Sequence, residues 1–181
     1  SIYTFLILIV SGFSSLNLSA QVVINEYSCS NVNTITDNFN EYEDWIELFN
    51  SGAATVNLQG YYLSDSKGNP LKWQFDNISI PAQGRIYVWC SGRDTVIGTN
   101  IHTNFKLTQT KPEEIVLMDA SQILLDSLTL NPTQSNHSRG RTSDGAATWS
   151  LFTTPTPGSV NSGAKIDYVP QPVFSKQSAF Y

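Results

Sequence analysis

From Gln21 onward, turn signals recur roughly every 8 to 12 residues, and the runs between them are short and rich in β-branched or aromatic residues, with no window repeating at helical period. A chain punctuated this way has no long helical stripe to bury and must stack short strands, as a sandwich or a barrel. Val22-Val23-Ile24-Asn25-Glu26-Tyr27 reads as the first strand, followed by a polar loop over residues 31–43 whose only apolar anchors are Val32, Ile35 and Phe39. In Asp44-Trp45-Ile46-Glu47-Leu48-Phe49, Ile46 and Leu48 share one pleated face while Trp45, Glu47 and Phe49 share the other, so both faces are expected to be at least partly covered. Asn50-Ser51-Gly52 is turn chemistry, because Asn and Gly tolerate positive φ. Further short strands are expected over residues 55–58, 61–63, 71–75 and 85–89 and around Phe105 and Leu107, and residues 114–130 read as a hairpin turning at Asp119-Ala120-Ser121. In all, roughly seven to nine strands and no substantial helix are expected.

A chain of 181 residues is one domain with appendages, large enough to bury a core without metal or disulfide. The net charge of -5 and the scattered Lys and Arg residues argue against nucleic acid and against an anionic membrane surface, both of which need clustered positive charge.

The apolar run over residues 2–10, the Ser-rich stretch after it and the small residue before Gln21 read as a signal peptide over residues 1–20. Because Met and a basic start are missing, this segment is expected to be truncated at the front. The reading implies a secreted or cell-surface protein with no membrane insertion once the signal is removed. Thr153-Thr154-Pro155-Thr156-Pro157-Gly158 and Asn161-Ser162-Gly163 shift the composition and end the domain, which is expected to span residues 21–163. Residues 164–181 are then a linker and the truncated start of a following module, since Val169-Pro170-Gln171-Pro172-Val173-Phe174 is apolar again. Cys29 and Cys90 are the only cysteines, and their spacing fits neither a zinc knuckle nor a redox Cys-x-x-Cys pair.

Several segments together resemble the lamin tail domain family: Ile24-Asn25-Glu26, Asp44 to Asn50, Val56-Asn57-Leu58-Gln59-Gly60-Tyr61-Tyr62-Leu63-Ser64-Asp65 and Ile80-Pro81-Ala82-Gln83-Gly84. Tyr87-Val88-Trp89, Asn104-Phe105-Lys106-Leu107, Gly140-Arg141 and Pro155-Thr156-Pro157-Gly158 continue the likeness. The resemblance implies an all-β, immunoglobulin-like antiparallel β-sandwich, in agreement with the strand pattern. It points to the secreted bacterial branch, where such domains are accessory parts of surface proteins and accompany extracellular hydrolases and nucleases. The nuclear filament role of other members is not carried over, because fold does not imply function. Residues 169–181 resemble the opening of a chitobiase or hexosaminidase C-terminal type β-module, which often stands between a lamin tail domain and a spore-coat kinase-like domain. Where the family pattern carries a small residue at two places, this chain carries Cys29 and Cys90 together, each directly after a strand. A disulfide closing a loop of about 60 residues is therefore expected, worth on the order of 4 kcal/mol. Two buried free thiols acting as small hydrophobes are the alternative.

Catalytic signals are absent from the sequence: His102 and His137 are the only neutral bases, both read as loop residues, and neither sits in a recognisable nucleophile or metal motif. Glu26, Glu43, Asp44 and Glu47 supply hard oxygen ligands that would suit Ca²⁺, although no EF-hand spacing connects them; the alternative is that Asn25, Glu26 and Glu47 hydrogen-bond backbone within the fold. Tyr61, Tyr62, Trp73, Tyr87 and Trp89 lie on expected strands and either line a flat surface that stacks on sugars or packs on a neighbouring domain, or fill the core. The function these features imply is a non-catalytic interaction or spacer domain at the N-terminus of a larger protein, its partner a protein or glycan at the cell surface. A carbohydrate-binding module, with or without Ca²⁺, and an escort domain for a hydrolase or spore-coat kinase-like protein are the alternatives.

Overall fold

The structure, a computed structural model, describes residues 21–111 and 113–163. The signal-like segment and the module start at 164–181 therefore lie outside the described residues. Among the described residues every regular element is a strand. They are β1 (Val22–Ser28), β2 (Trp45–Asn50), β3 (Val56–Asn57), β4 (Tyr62–Ser64), β5 (Trp73–Gln74), β6 (Ser79–Ile80), β7 (Arg85–Trp89), β8 (Thr95–Ile97), β9 (Asn100–His102), β10 (Glu114–Met118), β11 (Leu124–Thr129), β12 (Ser138–Arg141) and β13 (Trp149–Phe152). That is more than the sequence suggests, because several are two or three residues long and too short for alternation to register.

The strands form a seven-stranded sheet in the order β13-β12-β1-β2-β7-β9-β8, a four-stranded sheet in the order β11-β10-β4-β5, and a small ribbon of β3 with β6. Every pair is antiparallel except β7 with β9, which meet in parallel at Trp89 and His102. Ile24, Ile46, Leu48 and Val88 from the larger sheet and Leu63, Trp73, Ile115 and Leu117 from the smaller one meet in a single apolar core. Phe105 and Leu107, expected on a strand, are instead buried core residues of the segment after β9.

Three local features position the polar chemistry. First, β1 and β2 are buried along their whole length, so the expectation that both faces of β2 are covered is borne out. Second, a β-bulge in β1 falls between Ile24 and Glu26, so that Ile24 pairs with Leu48 and Glu26 with Glu47. The extra residue is Asn25, and since Ile24 and Tyr27 both reach the core, Asn25 and Glu26 both face the other side. Third, Asn50 shapes the turn after β2 with its side chain rather than with positive φ: Nδ2 donates to the carbonyls of Ala54, Ile80 and Pro81 at 2.8, 3.0 and 3.0 Å, and Oδ1 accepts from Gly52 N at 2.9 Å.

The two cysteines are free buried thiols, and the expected bridge is not formed. The reason is topological. β2 lies between β1 and β7, and Cys90 N donates to the carbonyl of Asp44, next to the residue that pairs with Ser28. Two residues flanking an intervening strand are about 10 Å apart across the sheet, beyond the roughly 7 Å that a disulfide tolerates. The Cys29 thiol instead lies 3.7 Å from both Gln109 Oε1 and Thr133 Oγ1.

Candidate functional site

The outer face of the seven-stranded sheet carries Trp45, Glu47, Tyr87 and Trp89 together with Asn25 and Glu26, and two irregular segments cover it. The aromatic rings pack edge to face, Trp45 against Tyr87 at 6.3 Å and Tyr87 against Trp89 at 5.3 Å. Trp73 and Trp89 are buried and Tyr61, Tyr62 and Tyr87 are half-buried, so the five aromatics do not form an outward row.

One cover is the strap over residues 153–161. The linker-like Thr-Pro-Thr-Pro-Gly run supplies backbone donors, and the sheet supplies two carboxylates to receive them. Thr156 N donates to Glu26 Oε1 at 2.9 Å, Thr156 Oγ1 to Glu26 Oε2 at 2.6 Å, and Gly158 N to Glu47 Oε2 at 2.7 Å. Ser138 Oγ also donates to Glu26. Asn25 Nδ2 bridges Glu47 Oε1 at 2.8 Å and Asp144 Oδ1 at 2.9 Å, while Asp144 pairs with Arg85. Asn161 ends the strap, donating through Nδ2 to the carbonyls of Arg141 and Asn25 at 2.8 and 3.2 Å. Burial raises the Glu26 carboxyl above its ordinary range despite these donors, and burial, with the charge of Glu26 adding to it, pushes Glu47 up to about 7.

The other cover is the loop over residues 31–44. Asn31 Nδ2 ties it together by donating to the carbonyls of Ile35 and Glu43, both at 2.8 Å, and Asn31 N donates to Asp44 Oδ1 at 3.0 Å. Arg93 reaches in from beyond β7 to pair with Asp37, Glu41 and Glu43, its guanidinium 4.6 Å from the centre of the Phe39 ring, and Lys106 pairs with Glu43 at 3.1 Å. Burial is the main reason Asp44 rises to about 6. His102 closes this side at the end of β9, fully buried and not in a loop as its context suggests. Its Nδ1 lies 2.9 Å from Ser91 Oγ and its Nε2 2.8 Å from Asn38 Oδ1. Hydroxyl, imidazole and amide thus stand in the order of a nucleophile, base and orienter, but Ser91 is 4% exposed and its Oγ already accepts from Arg93 N at 3.3 Å. The trio braces the loop. Burial lowers the imidazole below its ordinary range, so it stays neutral. His137 sits just before β12, where its backbone N bonds Gln134 and its carbonyl accepts from Ser28 Oγ.

The four calcium candidates do not gather into one shell. Glu26 and Glu47 are cross-strand partners under the strap, whereas Glu43 and Asp44 belong to the loop and are bonded to Arg93, Lys106 and Asn31. Among the described residues no group of three or more His, Cys, Asp or Glu is placed to hold a metal ion. The hydrogen bonding expected of Asn25, Glu26 and Glu47 within the fold is what the structure contains. Sequence reasoning missed their partners Thr156, Gly158, Asn161 and Asp144; the one available signal was that buried carboxylates require donors.

Two packed sheets with buried polar clusters under their covering loops define an immunoglobulin-like sandwich, a class of domain that is generally non-catalytic and usually mediates interaction. The model of the lamin tail domain family matches residues 17–132, well over half of the 181-residue chain, and the chain belongs to that family. No curated protein gives a significant match. β12, β13 and the strap lie beyond the matched residues, yet β12 pairs directly with β1 at Glu26 and Tyr27.

Proposed function

We propose that this chain provides a non-catalytic interaction or spacer domain at the N-terminal end of a larger secreted or cell-surface protein of bacterial type, with a protein or glycan of the cell surface as its partner. The observation that carries this reading is that the conspicuous polar side chains serve the scaffold. Glu26, Glu47 and Asn161 hold the strap, and Ser91, His102 and Asn38 hold the loop. The signal-like residues 1–20 support export, and the acidic balance disfavours nucleic acid. The carbohydrate-binding alternative loses its main support with the burial of Trp73 and Trp89. Escort of a catalytic module is a special case of the same accessory role.

Export is tested by placing residues 1–20, preceded by Met and a short basic start, ahead of a reporter in a bacterial host; cleavage before Gln21 and a reporter outside the cytoplasm are expected, and a retained, uncleaved reporter overturns the secreted reading. The purified chain is expected to turn over no ester, phosphoester or glycoside and to bind duplex DNA no better than a neutral control at physiological salt. Turnover abolished by His102→Ala, or salt-sensitive DNA affinity, refutes the non-catalytic and acidic-surface arguments respectively.

A further inference from the structure

Glu26 and Glu47 are direct cross-strand partners, both fully buried, and each accepts from the strap. Like charges facing each other across a ladder oppose pairing, and the effect grows as water is excluded. The charged groups around them relieve it only in part, Arg85 being the cation that favours the ionised form of Glu47. Arg85 on β7 is engaged by Asp144, which adds a third carboxylate next to Asn25, and Arg141 on β12 is engaged by Asp126. Residues 153–161 carry no charged side chain, and the Tyr87 ring faces Gly158.

We infer that residues 153–161 form a proton-linked latch, held closed against the outer face of the seven-stranded sheet when one carboxyl of the Glu26 and Glu47 pair carries a proton, and loosened when both are ionised. The proton comes from solvent and resides on a carboxyl oxygen. With the proton on Glu47 Oε1, the carbonyl oxygen Oε2 still accepts from Gly158 N, the Asn25 Nδ2 contact to Oε1 is given up, Glu26 keeps its bonds to Thr156 as a carboxylate, and the repulsion is removed. The strap leads into the chain beyond Gly163, so the latch governs how firmly the domain grips its own C-terminal connection. Burial holds Glu47 at about 7, which places the transition near neutrality. The inference stands whatever the domain binds.

Hydrogen exchange of the full chain, followed by mass spectrometry and normalised for the intrinsic pH dependence of exchange, tests this directly. Between about pH 6 and pH 8, protection of the strap is expected to fall roughly tenfold while that of β10 stays level, since each unit of pKa shift is a tenfold bias. In Glu47→Gln the strap's pH dependence is expected to vanish, and Glu26→Gln serves as the second variant should the first fail to fold. Carbon-13 NMR of the wild-type carboxyls needs no variant, and a buried Glu resonance titrating above pH 6 is expected. Strap protection that is flat in the wild type, pH dependence that survives in a folded variant, or the lack of any Glu carboxyl titrating above pH 6 overturns the latch.

Discussion

Replacing Arg141 by methionine is expected to lower stability by about 3 kcal/mol, because the guanidinium satisfies backbone that the bulge in β1 leaves outside the ladder. β12 pairs with β1 only at Glu26 and Tyr27, so the amide and carbonyl of Ile24 have no strand partner on that side. Arg141 Nε donates to the Ile24 carbonyl at 2.7 Å, its Nη2 to Asp126 Oδ2 at 2.7 Å and its Nη1 to the Ala146 carbonyl, while the same Asp126 oxygen accepts from Ile24 N at 2.9 Å. The guanidinium also lies 5.2 Å from the centre of the Trp149 ring. Removing one partner of a buried pair costs about 3 to 5 kcal/mol; the Asp126 side chain is 17% exposed, so water recovers part of that and the lower end applies. Urea unfolding followed by tryptophan fluorescence reads the change, with a fall in melting temperature of roughly 10 °C for a domain this size. Arg141→Lys keeps the charge but not the fork and should recover less than half of the loss. In a double-mutant cycle with Asp126→Asn, which still accepts from Ile24 N, a coupling of about 1 to 3 kcal/mol is expected. A loss under about 1 kcal/mol, or strict additivity, refutes the assignment of Arg141 to the bulge.

Gly140→Ala is expected to destabilise the domain by about 1 to 3 kcal/mol in thermal unfolding, since a Cβ there would sit 2.9 Å from both Asn161 Nδ2 and Phe152 Cε2; a neutral result would show that the strap shifts freely. Stability should rise on acidification from about pH 8 to 5.5, on the order of 1 to 3 kcal/mol from Glu47, whose folded value of about 7 lies above its ordinary 4.5. That contribution is complete below 4.5 and is lost as pH rises through 7; Asp44, at about 6 against 3.8, acts in the same direction, and a melting temperature that falls over this range contradicts both. Both cysteines should alkylate fully on denaturation without reductant, and a linked peptide containing Cys29 and Cys90 in the unreduced digest would reverse the free-thiol assignment.

What the sequence made legible was periodic. β1, β2, β7 and the β10–β11 hairpin stand where alternation and turn residues place them, and the two-sided burial of β2 follows from a strand with Ile46 and Leu48 on one face and Trp45 and Phe49 on the other. What stayed hidden was either single-residue or long-range. A bulge adds one residue without any compositional mark, so nothing in Ile24-Asn25-Glu26 announces that Asn25 and Glu26 share a face. The strap reads as linker because Thr, Pro and Gly favour irregular backbone, and its docking depends on carboxylates more than a hundred residues away. His102 looks like a loop residue because β9 is three residues long, too short for period-two alternation to register.

The covering segments also explain why the acidic residues are where they are. A sandwich sheet normally leaves its outer face to water, and carboxylates there would be ordinary surface groups. Here irregular chain lies across that face, and irregular backbone must find partners for its amides wherever it is buried. Carboxylates accept strongly and in several directions, so one Glu serves Ser138 and both donors of Thr156, while a second serves Asn25 and Gly158. The result is a polar seam whose acceptors are matched to one particular strap conformation, so that substitutions in Thr-Pro-Thr-Pro-Gly and in Glu26 or Glu47 should be coupled energetically rather than additive.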